Sequence, residues 1–66
     1  MSTWCEVTFV YYGNGEAQAM ITASKEAEEK PGSTRKQTKS KTIYTEWFEG
    51  KEKAEEAVKD FKEAVR

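Results

Sequence analysis

Cys5 is the residue best suited to nucleophilic catalysis in this sequence, because a cysteine thiolate is a strong nucleophile. A catalytic cysteine usually needs an adjacent general base, and the sequence contains no histidine, the usual base at neutral pH. Free cysteine is also among the most frequently buried residue types. We therefore expect Cys5 to be a small buried apolar residue, and we predict that the protein has no catalytic residues and is not an enzyme.

Two glutamate pairs, Glu28-Glu29 and Glu55-Glu56, carry the side chain used for acid–base catalysis and cation binding. Catalytic carboxyls need burial or a nearby charge to shift their pKa, and both pairs lie in polar segments where we expect them to be solvated. One cysteine cannot form a zinc framework. Gly13-Asn14-Gly15 lacks the rest of a phosphate-binding glycine motif. The sequence predicts no metal, no cofactor and no small-molecule substrate.

Four basic residues lie close together in the polar middle of the chain: Arg35, Lys36, Lys39 and Lys41. They are interleaved with serine, threonine and glutamine, which often contact nucleic-acid backbones. Residues 25–42 carry six basic and three acidic side chains, although the whole chain has a net charge of −1. A solvated loop that keeps the protein soluble explains the same pattern. Nucleic-acid binding through these four residues is therefore our second functional hypothesis.

The large apolar residues fall in three segments, and these predict the regular elements. Residues 3–12 are rich in aromatic and β-branched residues and end at Gly13-Asn14-Gly15, which predicts a strand followed by a turn. Residues 42–48 have the same composition and predict another strand. In residues 51–65 the apolar side chains recur at helical spacing, which predicts an amphipathic helix.

Residues 16–30 allow two interpretations. They are rich in good helix formers, and some of their apolar residues follow helical spacing. Residues 16–23 also fit a return strand, because a three-residue loop matches its apolar face to that of the first strand. The resulting pairs are Tyr11 with Ala17, Phe9 with Ala19, Val7 with Ile21 and Cys5 with Ala23. We favour the strand and keep the helix as the alternative. A third interpretation combines them, with a strand to Ala23 and then a helical turn capped by Ser24.

Together these elements predict an α+β fold. We expect a small, mostly antiparallel three-stranded sheet (β-β-β-α) with the C-terminal helix packed on one face, or β-α-β-α if residues 16–30 are helical. The chain should form a single small domain over residues 1–66, with a flexible polar and basic loop around residues 25–41. Residues 1–12 lack the features of a signal peptide, and a lone cysteine suits a reducing compartment. We therefore expect a cytoplasmic protein that does not enter the membrane.

A single helix covers only one face of a sheet, so the other face should remain open. We expect Val7, Phe9, Ile43 and Trp47 to meet Phe61 beneath the helix. The open face would then show six large apolar side chains: Trp4, Val10, Tyr12, Met20, Tyr44 and Phe48. Apolar patches of this kind usually mark a partner surface. Our leading hypothesis is a non-catalytic interaction module that binds a protein partner, or a second copy as a homodimer, through this face.

The order strand–strand–strand–helix resembles the three-stranded DNA-binding modules of phage integrase arms and plant AP2 domains. Lys39-Ser40-Lys41-Thr42-Ile43, followed by Lys51-Glu52-Lys53-Ala54-Glu55-Glu56-Ala57, is similar to their last strand and helix. The resemblance implies a sheet face that enters the major groove of DNA. It covers about half of the chain, and the longer join over residues 44–50 and the negative net charge depart from the pattern. A likeness of fold does not fix function.

Overall fold

The computed structural model of the protein describes residues 1–65 and contains one sheet and one helix. The elements are β1 (Ser2–Tyr12), β2 (Ala17–Ala27), β3 (Arg35–Gln37), β4 (Lys41–Glu49) and α1 (Lys51–Ala64). The strands are antiparallel and lie in the order β2-β1-β4-β3, and α1 packs against β1, β2 and β4. The predicted α+β class with a C-terminal helix on one face is confirmed, although the sheet has four strands rather than three.

The first hairpin follows the register that the apolar pattern predicts. The Tyr12 amide donates to the Glu16 carbonyl (2.8 Å), the Gly15 amide donates to the Tyr12 carbonyl (3.1 Å), and Gly15 has φ 89°. Three predicted pairs are present: Tyr11 with Ala17, Phe9 with Ala19 and Val7 with Ile21. The helical alternative for residues 16–30 is wrong, because pairing with β1 outweighs the helix propensity of this alanine-rich segment.

A bulge in the first hairpin changes the pairs beyond Val7. The register shifts between Glu6 and Val7, so Cys5 pairs with Ser24 rather than with Ala23. A bulge adds one residue to one strand, and every pair after it moves by one position. The combined interpretation, with a helical turn from Ser24, is also wrong, because β2 continues as a strand to Ala27.

The predicted loop over residues 25–41 contains the last three residues of β2 and all of β3. Thr34 fixes the start of β3 against β4: its amide donates to Thr45 Oγ1 (3.0 Å), and its carbonyl accepts from the Thr45 amide (2.9 Å). Since β2 and β3 form opposite edges of the sheet, residues 28–34 carry the chain from one edge to the other.

The core lies between α1 and the odd-numbered residues of β1. Val7 and Ala54 are fully buried, with Cys5 and Ala19 beside them. The Phe61 ring lies over the sheet, as predicted. Its centroid is 4.9 Å from that of Phe9 and 5.5 Å from that of Tyr11. Among residues 1–65 no helix is long and apolar enough to cross a membrane.

The face of β4 that lies against the helix is not the one that we predicted. Phe48 pairs with Cys5 and Tyr44 pairs with Phe9, so the even-numbered residues of β4 lie on the helix side of the sheet. Phe48 packs against the core, and the rings of Tyr44 and Phe9 stack with centroids 6.0 Å apart. The expectation that Tyr44 and Phe48 lie on the open face is therefore wrong. The open face instead holds Ile43, Thr45 and Trp47.

Gly50 joins β4 to α1 in a backbone conformation that glycine adopts far more readily than other residues (φ 87°, ψ 148°). Its amide donates to the Thr3 carbonyl at 2.9 Å, which ties the start of the helix to β1. We expect Gly50→Ala to lower the free energy of unfolding by about 1–3 kcal/mol, because a Cβ strains this conformation. Chemical denaturation measures the change.

Gly32→Ala is the matched control for Gly50→Ala. Gly32 does not have a positive φ, and a Cβ built on it meets no atom within 4 Å. We expect this change to alter stability by less than about 0.5 kcal/mol. Equal losses in the two variants would contradict the strain that we assign to Gly50.

Candidate functional site

The face of the sheet that α1 leaves uncovered, called here the open face, carries most of the predicted partner residues. Its positions follow from the pairing of β1 with its two neighbours. Four predicted residues lie there: Trp4, Val10, Tyr12 and Met20. Two residues that the sequence interpretation placed under the helix, Ile43 and Trp47, join them. The face therefore keeps six large apolar side chains, but with a different membership.

The two tryptophans of the open face are diagonal neighbours. Trp47 pairs with Glu6, two residues along β1 from Trp4, which itself pairs with Glu49. Diagonal positions on adjacent strands are within reach of large aromatic side chains. The Trp4 indole Nε1 donates to the Ala27 carbonyl at 3.2 Å, which fixes the ring across the end of β2. We refer to Trp4 and Trp47 as the indole pair.

A second apolar group lies at the other end of the open face. Val10 pairs directly with Ile43, and Tyr12 lies two residues further along β1. All three side chains are half-buried, because residues on adjoining strands cover their flanks. The open face therefore has an apolar group at each end of the strands.

A row of hydroxyl groups, called here the polar row, separates the two apolar groups. Thr8 Oγ1 and Thr22 Oγ1 are 2.8 Å apart, and Thr22 Oγ1 donates to Glu6 Oε1 at 2.8 Å. On the next strand Thr45 Oγ1 lies 2.7 Å from Thr34 Oγ1. A hydroxyl that already forms a hydrogen bond within the protein has a smaller free-energy cost of desolvation when water is removed. The polar row is therefore compatible with contact between this face and a second protein surface.

Met20 gives the open face its most exposed apolar side chain. It is 54% exposed and lies on the edge strand β2, opposite Thr8. The other large apolar residues of the face are half-buried and form a broad surface rather than an enclosed cavity. Small-molecule sites are concave and surround their ligand. The shape of the open face therefore suits contact with a macromolecule.

The four basic residues predicted to contact nucleic acid do not lie on one face. Lys36 pairs with Ile43 and Lys41 pairs with Tyr12, so both are on the open face. Arg35 pairs with Tyr44 on the helix side, and Lys39 lies between β3 and β4. The structure therefore brings Lys36 and Lys41 to the open face and separates Arg35 from them.

Comparison with known proteins gives no family and no relative. No family model, curated protein or solved structure matches the chain. The sheet also differs from the three-stranded DNA-binding modules that the sequence resembles, because β3 adds a fourth strand and β4 lies between β1 and β3. The function must therefore be inferred from the chemistry of the open face.

Lys25 belongs to the open face and was not among the predicted contacts. It pairs with Trp4 beyond the bulge in β2. Three margins of the open face therefore each carry a basic residue: Lys25 on β2, Lys36 on β3 and Lys41 at the start of β4. The local excess of basic residues over 25–42 was the available signal, but only the register shows which of them share a face.

Glu46 lies on the helix side of the sheet at the β4–β3 boundary, where three side chains contact its carboxylate. Lys30 forms an ion pair with Oε1, Ser33 donates to Oε2 at 3.1 Å and Tyr44 donates to Oε2 at 2.7 Å. The Lys30 contact, followed by that of Tyr44, lowers the pKa of Glu46 from 4.5 to about 2. The same carboxylate raises the pKa of Tyr44. Glu46 therefore anchors residues 28–34 to β4.

The pKa of Glu46 makes stability depend on pH. A carboxyl with a lower pKa in the folded state stabilises the fold above its unfolded pKa, near 4.5, and this contribution disappears as pH falls towards 2. We expect a loss of about 1–2 kcal/mol over this interval, since solvent screens the half-exposed Lys30 partner. Urea denaturation at pH 6 and at pH 2.5 measures it.

Two glutamine substitutions test the assignment to Glu46. Glu46→Gln should remove this part of the pH dependence, whereas Glu49→Gln, at an exposed position on the same strand, should keep it. If both variants retain the dependence of the original protein, another carboxyl is responsible.

The other residues considered for chemistry occupy ordinary structural positions. Cys5 is 4% exposed within the core, which confirms that it is a buried apolar residue. Glu28, Glu29, Glu55 and Glu56 are exposed. Within residues 1–65 no three or more His, Cys, Asp or Glu side chains are grouped so that they could hold a metal ion.

Proposed function

We propose that the protein is a non-catalytic interaction module that binds a protein partner through the open face. The observation that carries this proposal is the indole pair on a sheet face that the helix does not cover. Tryptophan is among the residue types most enriched at interface positions that dominate binding energy. Contact with a partner would remove two large aromatic surfaces from water, which is the principal source of affinity in such interfaces.

The charges of the open face indicate the chemistry of the partner. Lys25, Lys36 and Lys41 lie at the margins, and the apolar side chains lie between them. Protein interfaces commonly have an apolar centre and a polar rim. Glu6, Glu16 and Glu49 lie on the same face. A partner with an apolar patch bordered by side chains of both charges would complement this arrangement, with the charges steering association more than fixing affinity.

An affinity-capture experiment with a later binding assay tests the proposal. The immobilised protein, a Trp4→Ala/Trp47→Ala variant and a Val65→Ser control are compared for proteins retained from a cell extract. Val65 is an exposed apolar residue at the C-cap of α1, away from the open face. We expect the original protein and the control to retain a partner that the Trp4→Ala/Trp47→Ala variant does not retain.

The purified partner then gives a direct assay. Its addition to labelled protein should shift the amide resonances of β1 and β4 around the indole pair. Binding that survives the double substitution, in a variant that melts cooperatively, would contradict the proposal. Resonance shifts confined to α1 would also contradict it.

Nucleic-acid binding is the second candidate, and the position of Lys41 favours it. Lys41 pairs with Tyr12 on the open face, and Lys36 lies beside Ile43 on the same face. Aromatic rings next to basic side chains form surfaces on which single-stranded bases stack while lysines contact phosphates. A sheet face of this composition is therefore suited to either class of macromolecule, although a net charge of −1 favours the protein partner.

An NMR titration with short DNA at low salt tests this second candidate. Binding should shift the resonances of residues 33–48. Contacts from Lys36, Lys39 and Lys41 to duplex phosphates would give a log–log salt slope of about −2.7. An unchanged spectrum with both duplex and single-stranded DNA would exclude it.

A further inference from the structure

The two edges of the sheet are protected to different degrees against pairing with another chain. The β3 edge has three residues, two of which are Arg35 and Lys36. Short length and basic side chains both discourage edge pairing. β2 has eleven residues, and its positions 17–24 contain no charge, no proline and no glycine. The β2 edge therefore has a long uncharged stretch where the β3 edge has charges.

Within residues 1–65, no strand lies beside the outer edge of β2. The Tyr12 amide donates to the Glu16 carbonyl at 2.8 Å, so Glu16 is in a hydrogen-bonded pair with β1. Such pairs alternate along antiparallel strands. Gln18 and Met20 therefore bond to β1, and the backbone groups between them point away from the sheet. These outward-facing groups belong to Ala17, Ala19 and Ile21.

The side chains next to these groups show that the edge is uncovered. Met20 is 54% exposed on the open face, and Ile21 is 37% exposed on the helix side. Both are large apolar residues at the middle of the uncharged stretch. A strand added at this edge would cover each of them from one side.

We propose that a second copy of the chain pairs with the β2 edge, with the two β2 strands antiparallel in a continuous eight-stranded sheet. A two-fold axis perpendicular to the sheet relates the copies, so both helices lie on the same side. Such an axis is the commonest symmetry of soluble homo-oligomers. The contact is made by the backbone edge of β2 and shares only the marginal residues Met20 and Lys25 with the open face, so this inference does not rest on the proposed function.

The charges near the ends of β2 fix the register of the pair. Met20 lies opposite Thr8 and Lys25 lies opposite Trp4; Glu16 lies opposite Tyr12. Thr8 is midway between Trp4 and Tyr12 on β1. Because the bulge adds one residue to β2 between Met20 and Lys25, Glu16 and Lys25 lie equally far from Met20 when measured along β1. A two-fold axis at Met20 therefore brings Glu16 of each copy opposite Lys25 of the other.

The same register satisfies the free backbone groups. With Met20 opposite its own copy, Ala19 of one chain lies opposite Ile21 of the other, and both carry outward-facing amide and carbonyl groups. These residues can then form the reciprocal hydrogen bonds of an antiparallel pair. The two Ala19–Ile21 pairs flank the axis, and the two Glu16–Lys25 pairs lie near the ends of the contact.

Charge reversal tests the register by sedimentation equilibrium. Lys25→Glu would place two glutamates together at both ends, and we expect it to raise the dimer dissociation constant about tenfold. The double variant Glu16→Lys/Lys25→Glu restores opposite charges at both ends and should return the constant close to its original value. Both changes are at exposed positions, so the fold should be retained.

Hydrogen exchange gives a second measurement that needs no substitution. As protein concentration rises, exchange of the Ala19 and Ile21 amides should slow, while that of Gln18 and Met20, already bonded to β1, should not change. A protein that stays monomeric at millimolar concentration would overturn the proposal. A dimer that Lys25→Glu does not weaken, or that the charge swap does not restore, would also overturn it.

Discussion

Replacing Phe61 with alanine is expected to lower the free energy of unfolding by about 3 kcal/mol. The Phe61 ring lies 4.9 Å from the ring of Phe9 and 5.5 Å from that of Tyr11, so it is the main aromatic contact between helix and sheet. The substitution removes the apolar surface that the ring buries, together with two ring–ring contacts. A loss of this size is a large share of the stability of a small domain. Urea denaturation followed by tryptophan fluorescence measures it.

Two further substitutions, one in α1 and one at its C-cap, show whether the loss comes from packing. Phe61→Leu keeps an apolar side chain of similar reach and should cost less than about 1.5 kcal/mol. Val65→Ala, at an exposed position, should change stability by less than about 0.5 kcal/mol. If Phe61→Ala leaves the denaturation midpoint unchanged, the helix does not pack as described.

Enlarging Ala54 is expected to cost about 2 kcal/mol when the new residue is leucine. Ala54 is fully buried where the first turn of α1 meets the sheet, next to the fully buried Val7. Close packing leaves no space for three more carbon atoms, so the helix or its neighbours must move. Thermal denaturation should show a lower midpoint.

Ala64→Leu is the matched control, because the same change is made at an exposed position of the same helix. Alanine and leucine both have high helix propensity, so this variant should melt within a few degrees of the original protein. If Ala54→Leu melts at the same temperature as this control, the contact between helix and sheet is looser than the structure indicates.

The first hairpin was predictable because two independent patterns agree. Gly13-Asn14-Gly15 sets the loop length, and only that length aligns the apolar residues of both strands. The bulge was not predictable in the same way. Thr22, Ala23 and Ser24 are small or polar, so no apolar pattern marks the extra residue. The face on which Lys25 lies depends on that extra residue.

The faces of β4 were assigned the wrong way round for a physical reason. Each face carries aromatic residues, and Glu46 made its own face look solvent-exposed. Lys30 and Ser33, which are distant in sequence, stabilise that carboxylate on the helix side of the sheet. A weaker signal was available: Trp47 has an indole N–H that suits a half-exposed position, whereas Phe48 has no polar atom to satisfy.

β3 was not predicted because its residues carry no strand pattern. The segment reads Arg-Lys-Gln, with no apolar or β-branched side chain. Its position depends on backbone pairing with β4 and on the contact of Thr34 with Thr45. These are tertiary interactions, and a pattern within one segment does not contain them.

The strand order β2-β1-β4-β3 also has a consequence for the route of folding. β1 with β2, and β3 with β4, are hairpins closed by short turns, whereas β1 and β4 join residues as distant as Trp4 and Glu49. Hairpins form in microseconds, while contacts between distant residues require closure of a long loop. We therefore expect the two hairpins to meet at the β1–β4 boundary and this step to set the folding rate. The expected kinetic barrier lies in the middle of the sheet rather than at its edges.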